Sequence, residues 1–115
     1  MQTIQLSTLL GGTGPDAADR LRLFAMISLG VVESLASQLL LPHDAVRLYF
    51  HAENCLFVRQ QLGDKRANMI MGRGVQLQDL FDALPADEAR SALLRQIKSL
   101  RDACLDLLAP RQAAA

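Results

Sequence analysis

A chain of 115 residues fits one domain with a core of its own, and twelve basic residues against twelve acidic ones leave no net field to draw in nucleic acid or an anionic membrane. Half of the residues are hydrophobic, yet only 4% are aromatic and none is Trp, so the interior must be built from Leu, Ala, Val, Ile and Met, the material of helix packing. Two cysteines, Cys55 and Cys104, both among apolar neighbours, are too few for a disulfide scaffold and point to a reduced, cytoplasmic setting.

Residues 3–10 alternate weakly, with Ile4 and Leu6 set against Thr3, Gln5 and Ser7, but nothing else in the chain offers a partner strand. Gly11, Gly12, Gly14 and Pro15 then break the pattern, so residues 1–14 are expected to form a flexible or loosely docked arm. The glycine run invites comparison with a phosphate loop, but it lacks the closing Lys and Ser or Thr, and Asp16 would repel a phosphate.

Thr13 and Asp16, three apart, resemble a capping box, and the first helix is expected over 15–38. Leu21, Phe24, Val31 and Leu35 form one stripe, while Ile27, Leu29 and Val32 cover other sides, so this helix should be central. Gly30 is expected to admit a neighbouring backbone, because a helix interior otherwise disfavours Gly by about 1 kcal/mol. The apolar stretch 23–32 lies too far from Met1 for a signal peptide and is interrupted by Glu33. It is also shorter than the roughly 20 residues needed to span a bilayer.

Pro42 and Asp44 open the next helix, whose inner face is Ala45, Leu48, Ala52, Cys55 and Leu62, with a break near His51 and Gly63 as its cap. Residues 67–71 make a short turn ended by Gly72, Arg73 and Gly74. Residues 75–83 make another, with Leu77, Leu80, Phe81 and Leu84 turned inward. Pro85 begins the last helix, where Asp87 and Glu88 suit the positive end, and Pro110 lies beyond its close. Its stripe of Leu93, Ile97, Leu100, Cys104 and Leu107, flanked by Leu94, Leu105 and Leu108, must dock on the rest. The pattern predicts an all-α, single-domain helical bundle of four to six helices over 15–110, with a long central first helix, a long amphipathic last helix and a tail at 111–115.

Chemistry-bearing groups are sparse. His51 and Cys55, four apart, share one helical face, but a nucleophile–base pair needs an orienting third group and an oxyanion site, and no motif supplies them. His43, His51, Cys55 and Cys104 add up to a zinc set by number alone, without the paired short intervals of zinc modules. Lys65, Arg66 and Arg73 form a basic patch too modest for nucleic acid, with a single Tyr for stacking. Met69 and Met71 fall on different helical faces, so one is expected at the surface, where Met suits an adaptable interface. Asp79, Asp82, Asp87 and Glu88 stand near helix starts, where carboxylates have a structural explanation. No catalytic residues, metal or cofactor are expected.

Residues 23–108 resemble a small family of short bacterial helical proteins without an established activity. The resemblance rests on Ser28-Leu29-Gly30-Val31-Val32-Glu33-Ser34-Leu35, then Gly74-Val75-Gln76-Leu77-Gln78-Asp79-Leu80, Leu84-Pro85 and the Leu-rich final helix. It implies one helical domain and no particular role.

Together these features point to a non-enzymatic protein-binding module in the cytoplasm. An immunity protein or antitoxin that neutralises a cognate toxin is the most definite form of that reading. A generic adaptor, a homodimeric structural protein, or a small hydrolase using His51 and Cys55 are the alternatives. The partner is another protein or a second copy, with no nucleic acid and no membrane. Tyr49, Glu53, Arg66, Met69 and Arg73, around the helix connections, are the expected contact residues, since Tyr and Arg commonly anchor interfaces.

Overall fold

Two long antiparallel helices form the spine of the molecule. The computed structural model describes residues 2–11 and 16–109, and every regular element among them is helical. In chain order these are α1 (Leu6–Gly11), α2 (Ala17–Ala36), α3 (Pro42–Leu48), α4 (Ala52–Phe57), α5 (Lys65–Gln76), α6 (Leu80–Ala83) and α7 (Ala86–Leu108). A π-helical turn, Val58–Leu62, continues α4, and a 3₁₀ turn, Leu77–Asp79, leads into α6. The most extensive helix packing joins α2 and α7. Ala18 and Arg22 at the start of α2 share a groove with Leu107 and Ala109 at the end of α7, while Glu33 in the last turns of α2 pairs with Arg101.

The α2 stripe packs as its spacing demands: Phe24, Val31, Val32 and Leu35 are buried. From α7 come Ile97, Leu100 and Cys104, with Leu93 and Leu107 half-buried and Leu94 and Leu105 left outside. The shorter helices close the remaining sides. Among the described residues, no helix is long and apolar enough to cross a membrane.

Both ends of α2 are defined by capping. Asp16 is its N-cap, with the carboxylate accepting from the Ala18 N–H at 2.9 Å. Thr13 and Pro15, also expected at this start, lie outside the described residues. At the other end Gln38 takes the left-handed conformation, φ 61°. Its N–H donates to the Leu35 carbonyl and the Leu39 N–H reaches the Ser34 carbonyl at 2.8 Å, the two-bond Schellman closure. A side-chain-bearing residue there costs about 1–2 kcal/mol, which Gly avoids at some expense in unfolded-chain entropy. Gln38→Gly is therefore expected to stabilise by about 1 kcal/mol, a rise of a few degrees in a thermal melt. A lowered melting point would contradict this.

Several expectations need correction. The turn expected at 67–71 is part of α5, which runs unbroken through Gly72, Arg73 and Gly74 because burial of Ala67, Ile70, Met71 and Gly74 on one face outweighs the low helix propensity of the glycines. Over the described residues 2–11 the opening segment is not a flexible or loosely docked arm: α1 is a helix with Leu6 and Leu10 fully buried. These two leucines stand four apart and share a helical face, which outweighs the weak alternation that suggested a strand. The Ile4 N–H donates to the Leu48 carbonyl at 2.8 Å and ties the segment to α3. Gly30 is exposed with open space around it, and among the described residues no backbone approaches there. The close approach is at Gly74, where an added Cβ would collide with the Phe50 ring. Phe81 is not inward but 46% exposed, although Leu77 before it is buried. The intervening 3₁₀ turn advances about 120° per residue rather than 100°, which rotates Phe81 away from the Leu77 face.

The chain between 43 and 62 divides near His51, as its pattern suggests, and Gly63 closes the π turn in the left-handed conformation at φ 59°. Ala45 is buried, but Ala52 on the expected inner face is exposed, and Asn54 is buried instead.

Candidate functional site

The α2–α3 connection packs Leu40 against the core but leaves Leu39 and Leu41 largely uncovered. Leu39 is 78% exposed and Leu41 62%, the two most exposed large hydrophobic residues described. A Schellman closure is usually accompanied by an apolar contact from the residue at the Leu39 position back onto the helix. At such exposure Leu39 can contribute little to that contact. Leu41 is the N-cap of α3, with extended backbone and no side-chain capping bond, and Pro42 follows at the first helical position.

The start of α3 packs against the 3₁₀ turn before α6. Between them runs an open groove of about 500 Å³ lined by Leu41, Pro42, His43, Gln78, Phe81 and Asp82. One wall is the Leu41–Pro42 edge and the other carries the outward-turned Phe81. On the rim, His43 Nε2 lies 3.3 Å from Asp44, which also meets Arg47 at 3.7 Å. Among the described residues, Asp79, Asp82, Asp87 and Glu88 take part in no ion pair. The groove thus has apolar side chains on both walls and an unpaired carboxylate, Asp82, in its lining.

Of the five contact residues expected from the sequence, Tyr49 must be withdrawn. It is fully buried, its hydroxyl shares a 2.6 Å hydrogen bond with the Ser28 hydroxyl, and burial holds the phenol far above its ordinary range. The reason is local: α3 ends at Leu48, and the chain turns at 49–51, carrying Tyr49 and Phe50 into the core edge to face, 5.0 Å apart. Glu53 is exposed on α4, beside a shallow depression with Thr3, Gln5 and Arg47. Arg66, Met69 and Arg73 share one face of α5. There Arg66 bridges Asp64 and Asp106, each at 3.4 Å, and Arg73 donates to the Ser99 hydroxyl. Met69 is exposed between them and Met71 is buried. Arg66 and Arg73 thus form a seam with α7, with Met69 exposed beside it, apart from Glu53 and from the groove.

His51 and Cys55 are occupied structurally. His51 is the N-cap of α4. Its Nε2 lies 3.0 Å from the Ile4 carbonyl, which can only accept, so that nitrogen carries the proton and Nδ1 faces the Asn54 N–H at a long 3.5 Å. Burial pushes the Cys55 thiol up, and that of Cys104 up to about 11. A thiol held protonated is a poor nucleophile. Among the described residues, no three of His, Cys, Asp and Glu gather as a metal site would require.

The groove was missed by sequence reasoning, yet a signal was present. Leu39-Leu40-Leu41 stands immediately before a helix-starting proline, in a connection with no helical face to receive three leucines. Comparison with family models, with curated proteins and with solved structures finds no match.

Proposed function

We propose that this chain is a non-enzymatic protein-binding domain whose groove between α3 and α6 receives an apolar segment of another protein. One observation carries the reading: Leu41 and Phe81 are both largely exposed on the walls of one groove, with the still more exposed Leu39 two residues before Leu41. Exposed apolar side chains clustered around a groove mark an interaction surface, whereas single ones are ordinary. An immunity protein or antitoxin is the form of this function that best suits a small helical domain without catalytic motifs. The free thiols Cys55 and Cys104 support a cytoplasmic setting. Membership of the small helical family that residues 23–108 resemble belongs to the same proposal. The hydrolase alternative draws no support from His51, whose ring nitrogens both face backbone groups.

The test compares wild type with Leu41→Ser/Phe81→Ser for binding of the protein encoded beside it, with circular dichroism to verify the fold. Because both side chains are largely outside the core, the melting point should barely move while affinity falls about 100-fold, as for the loss of two interface anchors. Equal affinities would dismiss the groove as the binding surface. If the neighbour is a toxin, co-expression of wild type should protect cells and the double variant should not.

A further inference from the structure

We infer that the occupant of the α3–α6 groove is a basic amphipathic helix of a different protein, an inference that rests on the docking role proposed above. The apolar wall of Leu41, Pro42 and Phe81 demands apolar side chains from its partner, and the acidic edge then selects among partners by charge. Asp82 lines the groove, and Asp79 lies one turn earlier on the same side of the chain. Asp87 and Glu88, in the first turn of α7, line a separate depression that also holds Arg95. Of the neighbouring cationic groups, His43 and Arg47 both face Asp44, and among the described residues no ion pair meets Asp79 or Asp82. A helix with Lys or Arg flanking its apolar stripe would supply the missing countercharge.

Other occupants fit less well. A second copy in two-fold symmetry would bring two such acidic edges into one small interface. An anionic lipid surface would be repelled for the same reason.

The probes are two synthetic helical peptides of about 18 residues, long enough to hold some helix alone, with one Leu/Ala apolar face and polar faces of either Lys or Glu. Amide resonances of the full chain are followed by NMR as each is titrated in at low salt. The Lys peptide should bind at least about tenfold more tightly, shifting the amides of Leu41, His43 and Phe81, and added salt should erode its advantage. Asp79→Asn/Asp82→Asn, at exposed positions, should bring the two peptides within about threefold of each other. If the Glu peptide binds as well or better at these amides, the basic partner is wrong while the docking groove stands. If neither peptide shifts them, or both bind elsewhere, the docking groove falls too.

Discussion

Asn54→Ala is expected to lower the unfolding free energy by about 3 kcal/mol, a large share of the roughly 5–15 kcal/mol of a typical domain. Asn54 is 1% exposed, and its amide serves three backbone groups. Its Oδ1 accepts from the Leu6 N–H at 3.0 Å, while Nδ2 donates to the carbonyls of Ile4 at 2.8 Å and Tyr49 at 2.7 Å. Truncation leaves the Leu6 N–H and the Tyr49 carbonyl without that partner in a buried setting, and each such loss costs about 1–3 kcal/mol. The Ile4 carbonyl keeps His51 Nε2, which limits the damage there. Asn54→Asp would restore little, because it still offers Leu6 an acceptor but turns a second oxygen toward two carbonyls. Urea unfolding measures the cost, and hydrogen exchange locates it: the Leu6 amide should lose protection well before those of α7. A cost below about 1 kcal/mol with Leu6 still protected would show that the amide is not what holds the opening segment.

This network explains why part of the molecule was legible in the sequence and part was not. The long helices were readable because α2 and α7 repeat one rule over 20 and 23 residues, so an error at one position is outvoted by the others. Short elements lack that redundancy. In α6, four residues long, the orientation of Phe81 depends on three preceding residues taking a 3₁₀ rather than an α turn. Asn54 looks like a polar residue on a solvated face, because its Leu6 partner lies 48 positions away and a single sequence carries no sign of the pairing. Tyr49 reads as a surface contact because Tyr commonly anchors interfaces, but its polar tip does not need solvent. Ser28 satisfies that tip inside the core. The groove required knowing that α3 and the turn before α6 are neighbours, a tertiary fact, although the three leucines of the connection were visible throughout.

Gly74→Ala is expected to destabilise by about 2–3 kcal/mol, whereas Gly72→Ala, two positions earlier in the same helix, is expected to stabilise by up to about 1 kcal/mol. Helix propensity favours Ala over Gly at both, so packing decides the sign. A Cβ at Gly72 meets nothing within 4 Å. One at Gly74 would fall within the Phe50 ring, among Cγ, Cδ1 and Cε1. Nor can the ring step aside easily. Phe50 is fully buried, and its edge-to-face neighbour Tyr49 is anchored by the Ser28 hydrogen bond. The added methyl must therefore push α5 away from the turn at 49–51. A double-mutant cycle isolates this collision from any general intolerance at the site. Phe50→Leu alone should cost about 1–2 kcal/mol, but in its background Gly74→Ala should lose most of its penalty, a coupling of at least about 1 kcal/mol. Additive effects would mean that Phe50 is not the obstacle. Loss of stability at Gly72 comparable to that at Gly74 would mean that the close approach of α5 to Phe50 is not what sets the two glycines apart.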